Sequence, residues 1–298
     1  MLKGLAITPP VVGRISIGRV VERNGKRLPE KDDQFTLTSQ VQNRDGWVLH
    51  PLDEALKREA GGKLRTLPVR LLFNDPALNL RADYSLFDRD TGRPVCVGNG
   101  ESCRRVGNEG VEGLPCPGPD TCLFADGQCK AYARFNVVIG DNQDDTLGSF
   151  VLRTTSFNTI RTLAARLQYF SAVSGGRLAC MPLELKLRGK STTMSYRTAI
   201  YYVDLVVRAG TSLEQAIEEA RGLDQRRQAS GFDQAALDQA ARQGFANGAF
   251  EELEEDVPAV VEEFFPEESG ASAEPSGSVA PMSLGRKLEA KVARTANG

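Results

Sequence analysis

From Gly13 to Val21 (GRISIGRVV) apolar and polar residues alternate with the period of a half-buried strand, and Asn24-Gly25 follows as a hairpin turn. Further strands are expected over 34–38, 67–73 and 82–88, and Asp-Thr-Gly at 90–92 turns the chain into another at 94–97. LDEALKREA (52–60) has the pattern of a short helix stopped by Gly61-Gly62. Two β-prone runs, YARFNVVIG (132–140) and GSFVLRTTS (148–156), flank the acidic loop DNQDD and predict a hairpin. The best helix covers 158–172, with Ile160, Leu163, Ala164, Leu167 and Phe170 on one face, a Ser156 or Asn158 cap, and Gly175-Gly176 as its stop. LELKLRG and YRTAIYYVDLVV then predict two strands across a GKSTT turn.

Past residue 211 the pattern changes. Residues 211–250 are helical and rich in Ala and Gln, whereas 251–285 is acidic and then rich in Ser, Pro and Gly, the composition of a disordered tail. Residues 286–298 form a short basic helix or a disordered end. The expected fold class is therefore α+β: a β-rich body over 1–210 with one main helix, then C-terminal helices and the acidic tail. Charge follows the same division. Residues 1–210 hold 29 Lys and Arg against 22 Asp and Glu, and 211–298 hold 8 against 17. A basic body suits a polyanion, and an acidic tail could compete for the same surface.

No apolar segment is long enough to span a membrane, and the N-terminus lacks the apolar core of a secretory signal. A cytoplasmic protein with reduced thiols is expected, which gives the cysteines a different meaning from a disulfide framework. Five of six lie between residues 96 and 129, inside a loop rich in Pro, Gly and Asp (96–130) that cannot hold itself by apolar burial. Four thiolates in a tetrahedron would bind Zn(II) and fix such a loop, with Pro117-Gly118-Pro119 and Gly127 as the bends. Cys96, Cys116, Cys122 and Cys129 are the expected ligands, with Cys103 as the spare candidate and Cys180 as a core thiol. Four sulfurs leave no open position, so the site would be structural.

His50 is the only histidine, and no GxSxG, HExxH, Walker A or GxGxxG pattern accompanies it, so it is read as structural. Asp88-Arg89-Asp90-Thr91-Gly92 resembles a calcium loop, but Asn99 stands where a bidentate Glu is required, and a hairpin turn is expected instead. The acidic loop at 141–145 is read as a connection between strands. Arg153, Arg161 and Arg166 around the best helix, with Lys186, Arg188, Lys190, Tyr196 and Arg197 on the following hairpin, form a candidate surface for nucleic acid or a partner. The alternative reading of these residues is an ordinary solvated face.

RLPEKDDQFTLTS, LPVRLLFNDPALNLRADYSLFD, RPVCVGNGESCRRV, the cysteine loop ending CKAYARFNVVIGD, and LGSFVLRTTSFNTIRTLAARLQYF together resemble the recombination directionality factor-like proteins of phages and integrative conjugative elements. Homologues on such elements are often labelled "hydrolase or metal-binding protein". The resemblance covers roughly residues 10–208 and implies a zinc-stabilised, non-enzymatic accessory factor of DNA recombination. It places Cys96, Cys116, Cys122 and Cys129 at the family's cysteine positions and carries over no catalytic residue. Members with a known role bind a large serine integrase on DNA and turn it from integration to excision. The implied partners are DNA or a DNA-bound recombinase, with residues 211–298 available for self-association or protein docking. The competing readings are a single-stranded nucleic-acid binder of recombination or replication, and a metal-dependent hydrolase.

Overall fold

The computed structural model describes residues 10–23, 26–44, 46–140, 148–191 and 199–245, together with Val260, Val261 and Phe264. The predicted Asn24-Gly25 turn, the 141–145 loop, Tyr196, Arg197 and residues 266–298 lie outside them. The chain divides into two units, Met1–Phe265 and Pro266–Gly298, and the described residues all belong to the first.

The alternating run near the N-terminus is β1 (Val11–Arg23), paired antiparallel with β2 (Lys26–Asn43), which in turn pairs with β3 (Gly46–Leu49). After the helix α1 (Pro51–Glu59) come β4 (Thr66–Arg70), the short helix α2 (Pro76–Asn79) and β5 (Leu80–Phe87). Three short strands follow as a meander: β6 (Pro94–Gly98), β7 (Ser102–Gly107) and β8 (Gly110–Pro115). The expected hairpin is β9 (Lys130–Ile139) with β10 (Ser149–Thr154), and β10 also pairs parallel with β1. The main helix α3 (Phe157–Val173) leads to β11 (Leu183–Lys190) and β12 (Ile200–Val207), which pair antiparallel. Two helices, α4 (Leu213–Ala229) and α5 (Gln234–Phe245), complete the body. The architecture is mixed α+β around a large sheet, as the pattern predicts.

The sheet runs β3-β2-β1-β10-β9-β5-β6-β7-β8, and β9 carries a second branch. Its first half pairs with β5, and its end pairs with β4 through Val69–Ile139, which joins the β4-β11-β12 branch to the main sheet. One face is apolar: Ile15, Leu37, Phe35, Phe135, Val137 and Leu152 meet Leu163, Leu167 and Phe170 of α3, all nearly or fully buried. Each such side chain contributes about 1.5–3 kcal/mol relative to exposure. Ser156 caps α3 by accepting from the Thr159 N–H. His50 caps α1: its Nδ1 accepts from the Leu52 N–H at 3.2 Å, and its ring meets Phe150 edge-on at 4.9 Å.

The helices after residue 211 pack on their own body. Ala216 and Ala220 of α4 are fully buried in the main core, and Arg70 bonds Glu219 at 2.6 Å. Asp238 of α5 accepts from the Asn74 N–H at 3.1 Å, and Arg242 pairs with Asp75 at 2.9 Å. Where the composition suggests an unpacked acidic tail from residue 251, Val260 and Phe264 are fully buried in a cluster with Phe87 and Tyr132. Four large apolar residues (Val260, Val261, Phe264, Phe265) interrupt the carboxylates there, and a strand-surface aromatic pair receives one of them.

Candidate metal centre and basic surface

Chain excursions from separate elements bring the five clustered cysteines together. Cys96 sits in β6 and Cys103 in β7; Cys116 follows β8, and Cys122 and Cys129 flank the loop that returns to β9. The meander aligns them: Cys96 lies opposite Arg105, and Gly98 opposite Cys103. Gly98 has to lack a side chain, because a Cβ there would stand 2.6 Å from the Cys103 Cβ and 2.9 Å from the Cys116 sulfur. Pro115 lets Cys116 leave the strand while its N–H bonds the Glu101 carbonyl at 2.9 Å. The predicted bends are present: Gly118 and Gly127 take φ of +82° and +75°.

All five sulfur residues line one small cavity, closed by Leu86, Arg105 and Phe124. The Arg105 guanidinium lies 3.8 Å over the Phe124 ring, and Arg105 is opposite Cys96 on the neighbouring strand. Burial pushes the Cys129 thiol up to about 11, and its neighbours Cys96, Cys122, Cys116 and Cys103, in falling order, push the same way. Cys103 also rises to about 11, from burial first and then from Cys96. Its Sγ donates to the Pro115 carbonyl at 3.7 Å, a bond that keeps it a thiol. The Cys103 sulfur thus already has a backbone partner.

The donor set suits zinc: four or five soft sulfurs on one cavity wall, with a guanidinium to offset thiolate charge. Among the described residues no three His, Cys, Asp or Glu side chains already stand in a metal-holding arrangement. An ion would have to draw the sulfurs inward while displacing their protons. Cys180 is apart from this group, 2% exposed in the turn after α3, where Arg227 reaches its sulfur at 3.6 Å. It behaves as the core thiol expected of it.

The other turn reading also holds. Asp88 Oδ1 accepts from the Asp90 and Thr91 N–H groups and from the Thr91 hydroxyl, which makes Asp88–Gly92 the β5–β6 turn.

The basic residues separate into two groups. Arg166 and Arg188 both reach the buried carboxylate of Asp204, Arg166 Nε at 2.9 Å and Arg188 Nη2 at 3.2 Å, and both remain about two-fifths exposed. Lys190 bonds Asn158 Oδ1 at 2.8 Å and lies 5.9 Å from the Tyr202 ring. Arg161 is exposed on α3, and Lys186 is half-buried opposite Asp204 in the β11–β12 register. Arg153 does not join this surface. It is 9% exposed in β10, on the polar face of the main sheet, opposite Arg134.

That polar face holds arginines the sequence reading did not single out. Arg81, Arg134 and Arg153 stand directly opposite one another on β5, β9 and β10. Arg14 of β1 shares the face two positions along and lies 3.9 Å over the Trp47 ring. Each interrupts an otherwise apolar strand run at a polar position, and only the strand register reveals that they meet.

A cysteine-bearing meander and a two-sided sheet, one face apolar and one carrying arginines, are the features that set this chain apart. The recombination directionality factor-like (Gp3-like) family matches residues 12–208, more than half of the chain, and the protein belongs to that family. No curated protein and no solved structure matches it. Membership associates the chain with phage recombination. Among the described residues no helix is long and apolar enough to cross a membrane.

Proposed function

We propose that the protein is a non-enzymatic accessory factor of mobile-element DNA recombination, held in shape by one zinc ion on Cys96, Cys116, Cys122 and Cys129. The observation that supports this most is the sharing of one cavity by sulfurs from β6, the end of β8 and the loop before β9, inside a chain of the directionality factor-like family. Zinc would supply cross-linking of a loop that buries little apolar surface, with Leu123 97% exposed. The residues themselves do the rest: Arg105 offsets the thiolate charge, Gly98 admits the Cys116 sulfur, and the meander sets the approach.

In this reading the partner is a serine integrase on DNA, and the protein acts by binding one integrase–DNA arrangement better than another. Supplying the purified protein to the integrase of its own element, with excision and integration substrates in parallel, tests it. Excision should rise and integration fall; unchanged rates in both directions would overturn the reading.

A second reading, binding of single-stranded nucleic acid, is favoured by the arginine row of the polar face. A hydrolase is not favoured, since the one histidine caps α1.

A further inference from the structure

Along the strip where α3 lies beside β12, with the Val203 N–H donating to Thr159 Oγ1 at 3.2 Å, two cations are held by one acid. Asp204 of β12 has a side chain only 5% exposed, and its Oδ1 accepts the Leu205 N–H at 2.9 Å, which fixes the carboxylate. Arg166 of α3 donates to it from Nε at 2.9 Å and from Nη2 at 3.4 Å. Arg188 of β11 donates to its Oδ2 from Nε at 3.3 Å and from Nη2 at 3.2 Å. Each guanidinium thus turns one edge to the same carboxylate, and the Nη1 group of each takes no part in these bonds. Both side chains stay about two-fifths exposed, and the trio carries a net positive charge.

Further cations extend the pair. Lys186, Arg188 and Lys190 are alternate residues of β11, so they share one face at a spacing of about 6.7 Å. In the strand register Lys186 lies opposite Asp204, and Arg188 opposite Tyr202. Lys190 donates to Asn158 Oδ1 at 2.8 Å and lies 5.9 Å from the Tyr202 ring, which ties the end of β11 to the start of α3. Asn158, Thr162 and Arg166 follow at intervals of four along α3, and Tyr169, 47% exposed, continues that stripe. The acids of α3, β11 and β12 are Asp204 and Glu184, and the connecting residues 191–199 hold none. Glu184 is buried and accepts the Ala209 N–H at 3.1 Å. Both acids are therefore inside and engaged, while the cations reach the surface.

A guanidinium with an N–H group to spare suits a phosphate oxygen, and a line of cations suits an anion that repeats at short intervals. Holding the side chains in advance removes part of the rotamer entropy that a loose arginine loses on binding. We propose that the Asp204-held pair Arg166 and Arg188, with Lys186 and Lys190 beside it, is a contact site for the phosphodiester backbone of DNA, and that Asp204 is its positioning residue. The inference rests on the reading of the protein as a factor that works at an integrase–DNA complex, and it uses none of the cysteines. Contact with phosphates fixes the protein's place on a duplex without reading its sequence.

Anisotropy of a fluorescent random-sequence DNA duplex with the full chain, over a salt series and without integrase, tests it. Arg166→Gln and Arg188→Gln each keep one guanidinium on Asp204. Each should weaken binding about tenfold, the scale of one charge-assisted hydrogen bond, and lower the salt slope by about 0.9. Asp204→Asn adds net positive charge, so a loose patch of cations would bind tighter, whereas the held pair should bind weaker. Arg166→Lys with Arg188→Lys keeps every charge and guards against a misfolded Asp204→Asn; it should also bind weaker, since lysine lacks the fork. No binding by the natural chain, unchanged affinity in both Gln variants, tighter binding by Asp204→Asn, full affinity in the double Lys variant, or equal competition by polyglutamate would each overturn the proposal. DNA contact is read without integrase and the shift from integration to excision is read with it, so failure of one is distinguishable from failure of the other.

Discussion

Arg105 stands directly opposite Cys96 across the β6–β7 pair. A cation in that position would offset the charge of sulfurs bound to a metal. Replacing Arg105 with Ala should lower zinc affinity about tenfold to a hundredfold, the effect expected of a group that supports a ligand. Competition with a chelating dye measures it, and Arg105→Lys should recover part of the loss.

The spare and the ligands should separate cleanly. Cys103→Ser should retain one zinc per chain, because its thiol already bonds the Pro115 carbonyl. Serine at Cys96, Cys116, Cys122 or Cys129 should weaken or abolish metal binding. Gly98→Ala should do likewise, since the new Cβ would stand 2.9 Å from the Cys116 sulfur. Metal analysis of the six variants checks this.

Asp204 bridges Arg166 of α3 and Arg188 of β11 while its own side chain is only 5% exposed. Removing either arginine alone leaves the other in place and should cost about 1 kcal/mol. Removing both strands a buried carboxylate, and the double variant should lose roughly 3–5 kcal/mol, more than the two singles together. Urea unfolding of the four proteins measures the coupling.

His50 is held below its usual pKa by burial, against the pull of Asp53. The unfolded chain therefore binds the extra proton more readily, so this contribution to stability is whole above the usual value near 6.5 and is lost as pH falls through the folded pKa. Protonation also removes the Nδ1 acceptor that caps α1. His50→Asn should keep a cap and flatten the loss of thermal stability between neutral and mildly acidic pH; His50→Ala should cost roughly 1 kcal/mol at neutral pH.

How much of this was legible depended on where the information lay. The strand at 132–139 and the helix at 157–173 were readable because period and caps are local properties. The strands SCRRVG and GVEGLP escaped, because charges and glycines mask a pairing that exists only once the meander forms. The cysteines could be read as a group from their density, but their common cavity required β6, β7 and β8 to align. Arg81, Arg134 and Arg153 are at least 19 residues apart in sequence, and nothing but strand register makes them neighbours. The acidic stretch looked unstructured because composition averages over it, while Phe264 acts as a single residue with a place to go.

The central claim, one zinc ion on four sulfurs, meets its most direct test in native mass spectrometry of the full chain combined with alkylation of its thiols. The account predicts one zinc per chain and protection of Cys96, Cys116, Cys122 and Cys129 that disappears when a chelator removes the metal. A chain purified and refolded with zinc present that carries no metal, with those four thiols alkylated equally before and after chelation, would contradict it.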